Sequence, residues 1–240
     1  LASEAATRMD FARWLVSREN TRTARVAVNR VWQAYFGVGM VARAGDFGSR
    51  GDVPSDPKLL DWLAAEFVAQ GYSLKALHRL IVTSATYRQS SRFRSDAAEI
   101  DPANRMLTRQ NRLRLEAEII RDATLAVSGL LSRKIGGPSV FPYQPPGIME
   151  NRATPAPWVE SPEEDAYRRG LYTHFWRLTP HPFLQTFDAP DAVTACTARK
   201  RTNTPLQALS LLNDPAHVEC ARGLAKRVLR EGGAGNDEKI

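Results

Sequence analysis

Seven prolines fall between Gly136 and Pro162 (Pro138, Pro142, Pro145, Pro146, Pro155, Pro157 and Pro162), interleaved with Phe141, Tyr143 and Trp158. Proline fixes its own backbone torsion and offers no N–H, so neither a helix interior nor a central strand can be built from this stretch. It is predicted to be a long extended coil. Irregular segments of that length are uncommon inside a domain and often carry function.

On both sides of the coil the sequence reads as helix. Apolar residues recur at three and four in Phe11, Trp14 and Leu15, then in Val28, Val31, Trp32 and Tyr35 up to Gly37. Capping residues supply the boundaries. The first helix is expected from about Ser3 to Ser17, and the second after Thr21 or Thr23. Gly39 to Val53 reads as a loop. A third helix opens at Ser55-Asp56-Pro57, with proline where a missing N–H costs nothing, and ends at Gly71. Ser73 caps a fourth. Arg88 to Ile100 reads as loop, and Leu115 to Gly129 as helix. Ser161-Pro162-Glu163-Glu164 and Thr204-Pro205-Leu206-Gln207 both spell a capping box, and Asn213-Asp214-Pro215 starts a last helix that Gly232-Gly233 stops. Leu171 to Arg201 has no clear pattern. With no internal repeat and no βαβ alternation, the prediction is a mainly α, irregular multi-helix domain over residues 1–240. It divides into a helical part (1–135), the coil (136–162) and a loop with C-terminal helices (163–240). Trp32, Leu63, Phe67, Leu77, Ile81, Ile119 and Val127 are expected to share its core.

Composition excludes several classes. Apolar residues make up 43% and charged residues 25% of 240, ordinary values that leave no room for a disordered chain. No run approaches a membrane span, and Glu4, Arg8, Asp10 and Arg13 argue against a signal peptide between Leu1 and Val16. The net charge of +7 comes with 27 arginines against 6 lysines. They are spread along the chain beside Asp and Glu rather than gathered into a stripe, so nucleic acid is not the expected partner. Asp46-Phe47-Gly48 lacks the other kinase signatures, and Gly136-Gly137-Pro138-Ser139 lacks the lysine of a phosphate loop. No cysteine or histidine spacing matches a zinc or haem site. Cys196 and Cys220 are expected to stay unbridged.

The four histidines divide by context. His78, beside Leu77, reads as a packed, hydrogen-bonded side chain. His217, in the first turn of the last helix, is expected to be neutral and structural, because the helix dipole disfavours a cation there. His174 and His181 flank Arg177 in an aromatic stretch and are the better pocket candidates. Arg121 and Asp122 lie on a helix that is apolar nearly all round, so they are expected in an internal polar network. Asp188, Arg199, Arg201, Asn203 and Thr204 form a polar constellation that either holds a substrate or ties a loop down by ion pairs. The coil is expected to pack against His174 to Arg201 and to leave a groove lined by Tyr143, Trp158, His174, Arg177, Asp188 and Arg199. Aromatic faces with directional polar groups suit a carbohydrate.

Longer motifs carry a resemblance. They are N-R-V-W-Q-A-Y-F-G, L-K-A-L-H-R-L-I-V-T-S-A-T-Y-R-Q-S, R-L-R-L-E-A-E-I-I-R-D-A, P-Y-Q-P-P-G, Y-R-R-G-L-Y-T-H-F-W-R-L-T-P-H-P-F-L-Q-T-F-D-A-P-D and A-C-T-A-R-K-R-T-N-T-P-L-Q-A-L-S-L-L-N-D-P. From near Ala2 to about Arg230 the chain resembles the planctomycete-type PSD-one domain, domain of unknown function fifteen fifty-three. The resemblance implies a fragment of a large exported protein, periplasmic or beyond, with a cytochrome c-like domain before Leu1 and a further helical segment after Ile240. It implies no catalytic residues, and no cofactor is expected in this segment. The cytochrome c-like domain and a polysaccharide are the expected partners. Two readings follow: a non-catalytic scaffold or binding domain, or a carbohydrate-active enzyme with its cleft at the coil and the Asp188–Arg201 loop.

Overall fold

The computed structural model describes residues 6–150 and 156–232. The predicted start at Ser3, Pro155 of the coil and the stop at Gly233 lie outside the described residues. Among those described there are ten α-helices and no strand, with two isolated bridges joining Ser132 to Arg168 and Val140 to Thr173. The fold is mainly α, as expected. Two compact units divide the chain, Leu1–Leu113 and Arg114–Ile240.

The first unit holds α1 (Arg8–Leu15), α2 (Thr21–Phe36), α3 (Pro57–Ala69), α4 (Leu74–Thr83) and two short helices, α5 (Ala85–Arg88) and α6 (Ser95–Ile100). The last of these forms inside the stretch read as loop. Caps set the boundaries: Asp56 accepts from the Leu59 N–H with Pro57 in the first turn, and Ser73 accepts from Ala76. For α2 the cap is Asn20, one residue before Thr21 and three before Thr23, the caps expected. Val28, Trp32, Phe36, Leu60, Leu63, Phe67, Leu77 and Ile81 bury together as the core. Asn29 is fully buried on α2, where its side-chain amide donates to the Val41 carbonyl at 3.0 Å and accepts from the Val41 N–H at 2.9 Å. That pair pins the loop after α2, and Gly39 is required there because a Cβ would stand 2.5 Å from the Asn29 amide. His78 receives Tyr35, with Oη to Nδ1 at 2.9 Å, in the packed role expected of it. Helix α1 buries none of its residues, so Phe11 and Trp14 do not serve the core.

The second unit holds α7 (Ala117–Ser128), α8 (Pro182–Thr186), α9 (Pro205–Asn213) and α10 (Pro215–Glu231), with 3₁₀ turns at Glu163–Tyr167 and Gly170–Tyr172. Its buried apolar cluster is Ala117, Phe183, Leu184 and Phe187. Ile119 and Val127 do not belong to a core: they are 44% and 50% exposed. The inward residues of α7 are Ala117, Leu125 and Ser128. That stripe is displaced by two residues, about 200° of helix rotation, from the one read off the sequence. Against it lies α10, where Gly223 lets the backbones approach: a Cβ there would stand 3.1 Å from Ser128. The Thr204 capping box forms with Gln207 as expected. The Ser161 box does not, because its hydroxyl accepts from Phe141 N–H at 2.9 Å while Ser161 N–H donates to Phe141 O at 2.9 Å. The serine ties the coil to itself, and only a 3₁₀ turn follows it.

Candidate functional site

Main-chain bonds hold the coil at Val140. Val140 N–H donates to Tyr172 O at 2.8 Å, and His174 N–H donates to Val140 O at 2.7 Å. This register stacks the Phe141 ring on His174, with centroids 4.7 Å apart, and sets Trp158 edge-on to Phe141 at 5.0 Å. Trp158 donates its indole N–H to Pro142 O at 2.8 Å, and Trp176 meets His174 at 4.9 Å. Tyr143 joins through its carbonyl, which accepts from His181 Nε2 at 2.9 Å. Three of the predicted groove residues, Tyr143, Trp158 and His174, thus gather with His181. All but the buried His181 are half-buried.

Asp188 and Arg199 sit in a second, polar cluster. Asp188 adopts a left-handed backbone conformation with φ of 62°. Its carboxylate accepts from Arg114 Nη2 at 2.5 Å, from Thr202 N–H at 2.8 Å and from Thr202 Oγ1 at 2.9 Å. Arg114 also donates to Thr202 O at 2.8 Å and lies over the Phe187 ring. Burial pushes the Asp188 carboxyl up, but Thr202 and Arg114 together outweigh it and hold the group below the usual carboxylate range. Arg199 instead pairs with Glu118 at 2.7 Å and Glu116 at 3.1 Å, and Arg201 with Glu116 at 3.2 Å. The arginine that meets Asp188 therefore comes from 74 residues away, not from the following loop. Arg177 is exposed and belongs to neither cluster.

Behind the coil lies a cavity of ≈ 70 Å³, lined among others by Arg121, Tyr143, His181, Phe183, His217 and Cys220. Arg121 Nη2 donates to Ala166 O at 2.7 Å, so this arginine does enter an internal network. Asp122 accepts from Gly170 N–H at 2.6 Å and Arg169 Nε at 2.9 Å. Four buried polar atoms of these lining residues have no hydrogen-bond partner among the described residues: Arg121 Nε, His181 Nδ1, and both ring nitrogens of His217. Burial pushes both histidines below the ordinary imidazole range, with the Arg121 charge adding to it. Cys220 is a buried free thiol whose ionisation burial also disfavours, and Cys196 is free and exposed, so the two are unbridged as expected. Tyr167 donates to Glu219 at 2.7 Å, and that bond with burial pushes the phenol up to about 12. Among the described residues no group of three His, Cys, Asp or Glu could hold a metal ion.

Sequence reasoning found His181 through its aromatic context and Arg121 through its helix. It read His217 as neutral and structural, and burial holds that imidazole below its ordinary range.

No curated protein and no solved structure matches the chain. A family model does: PSD1, described as a protein of unknown function (DUF1553), matches residues 7–240. That span takes in both units, the coil and the cavity, so the chain belongs to the PSD1 family of proteins of unknown function.

Proposed function

We propose that this domain is a non-catalytic binding module of an exported, cytochrome c-associated protein, engaging polysaccharide through the aromatic cluster on the Pro-rich coil. One observation carries the reading. The carboxylates of the polar constellation are spent on the fold: Asp188 on Arg114 and Thr202, Glu116 and Glu118 on Arg199 and Arg201. Glycoside hydrolysis needs a pair of carboxyl groups that face each other across a substrate, ~5–9.5 Å apart, and free to exchange a proton or form a bond. Locked carboxylates support tie-down of the Asp188–Arg201 loop instead. The half-buried Phe141, Trp158 and His174 rings, held rigid by the coil register, offer flat apolar surface of the kind that packs on sugar rings.

The test uses the full-length protein with its haem domain on a panel of glycans. Trp158→Ala is expected to abolish retention on the recognised glycan with the melting temperature nearly unchanged. A fall in melting temperature with binding intact makes the coil a strap over the core. Release of reducing ends from any panel member makes the domain an enzyme.

A further inference from the structure

A groove of ≈ 510 Å³ lies between the end of α7, with the residues just after it, and the C-terminal half of α10. That is within the ~300–1,000 Å³ of clefts that hold small ligands. None of the coil's rings Phe141, Trp158 and His174 lines it. One side chain ties its two walls together. Arg227 of α10 donates through Nη1 to Val127 O at 3.2 Å and Ala126 O at 3.5 Å, at the end of α7, and through Nε to Glu231 at 2.8 Å. That guanidinium answers the free carbonyls of the α7 terminus and also Glu231, the one carboxylate among the described lining residues.

Three cations are left over. Arg133, Lys226 and Arg230 line the groove, and none of them has an ion pair or a side-chain hydrogen bond among the described residues. Four cations against one carboxylate leave the described lining a surplus of three positive charges. Lys226 and Arg230 stand four apart on one face of α10, a spacing at which like charges disfavour the helix. Attraction to the negative end of α10 accounts for Arg230 in its last turn. It does not account for Lys226, which lies before that turn, or for Arg133, which follows α7 and is not on α10. A cation entering this groove meets the surplus with only a carboxylate that is already paired. An anion meets three free cations, two of them arginines whose planar forks hold two oxygens of a sulfate, phosphate or carboxylate group. Lys226 and Arg230 are rooted ~6 Å apart, and Arg133 comes from the other wall, so two anionic groups fit the set better than one. Leu130 and Leu131 add apolar surface for the frame that carries them.

We propose that the groove of Arg133, Lys226 and Arg230 binds a ligand bearing two or more oxyanion groups, whether sulfate esters, phosphates or carboxylates. It is a second site, separate from the aromatic cluster, and stands without the binding reading above.

The experiment is isothermal titration of the full chain at pH 7.5 and 0.15 M salt with tripolyphosphate, a disulfated disaccharide, digalacturonate and inorganic phosphate. At least one of the first three is expected to bind saturably and more tightly than inorganic phosphate, and the tightest of them names the oxyanion. Lys226→Gln and Arg133→Gln, on different segments, are each expected to weaken that binding about fivefold, the upper worth of one exposed ion pair. Arg50→Gln removes the same charge from an exposed position in the other unit and is expected to leave the affinity within about twofold. Melting temperatures of all three variants establish that each is folded, and the two groove variants serve as replacements for one another. Equal weakening by Arg50→Gln overturns the proposal in favour of attraction to net charge alone. Inorganic phosphate binding as tightly as every larger probe overturns the two-group ligand. Absence of saturable binding by all four probes overturns the site. Glycan retention that depends on Trp158 is untouched by each of these outcomes.

Discussion

Arg168 is 1% exposed and meets no carboxylate among the described residues. Its guanidinium donates to Pro138 O at 3.1 Å and Lys134 O at 3.4 Å, reaches Gly136 O as well, and stands 3.8 Å over the Tyr172 ring. Three carbonyls and a ring face take the place of a counter-ion, and they fix the entry of the coil. Arg168→Met should cost about 2–4 kcal/mol in urea denaturation, because it removes hydrogen bonds to three carbonyls and the contact with the Tyr172 ring. Arg168→Lys should recover only part of that, since a compact ammonium cannot span three separated acceptors or stack on the ring. The two cavity histidines give the residue scale a pH signature. Burial holds both below the ordinary 6.5 in the folded chain, so the unfolded chain takes up protons first as pH falls. Stability is therefore present at and above pH 6.5 and is lost as pH drops from there toward the lowered folded values. Melting temperature should fall between pH 7.5 and 5, and His217→Gln should flatten that slope. Asp188 adds a separate loss at lower pH: its folded carboxyl lies below the ordinary 3.8, so its contribution fades as pH falls through that region.

At the scale of the element, α7 shows how a helix chooses its face. Leu115, Ile119 and Val127 repeat at four and look like an inward stripe, yet each is exposed. What faces inward is a mixed stripe that includes Ala117, Leu125 and Ser128: Ser128 lies against Gly223 of α10, and Ala117 joins Phe183, Leu184 and Phe187. Leu125→Ala should cost about 2–4 kcal/mol by chemical denaturation, whereas Ile119→Ser and Val127→Ser should each stay within about 1 kcal/mol. The opposite result would restore the apolar stripe as the packed face. Caps behave more simply. Asp56→Ala removes the acceptor for Leu59 N–H and should cost about 1 kcal/mol.

For the whole molecule the excess of arginine finds an internal explanation. Arg25, Arg114, Arg169, Arg199 and Arg201 pair with carboxylates, while Arg121 and Arg168 serve main-chain carbonyls. Along the sequence, too, the arginines are spread beside Asp and Glu rather than gathered into a stripe. At 0.15 M salt, duplex DNA should show no shift with micromolar protein, as expected when few phosphates can be neutralised at once. A saturable shift at that salt would contradict this distribution of charge. No helix among the described residues is long and apolar enough to cross a membrane.

What the sequence determined by itself is local. Prolines forbade regular structure in the coil, Asp56, Ser73 and Thr204 placed helix starts, and periodicity on α2, α3 and α4 named the first core. These depend on bonds within a few residues or on a strongly one-sided pattern. The tertiary structure decided what depends on distant partners. Ser161 turned from a helix cap to Phe141, Asp188 found Arg114 rather than Arg199, and α7 turned Ser128 rather than Ile119 or Val127 inward, against Gly223 of α10. The cavity joins Arg121 on α7, His181 before α8 and His217 on α10, three segments whose meeting no local pattern encodes. Burial, not residue type, is what leaves their polar atoms unpaired.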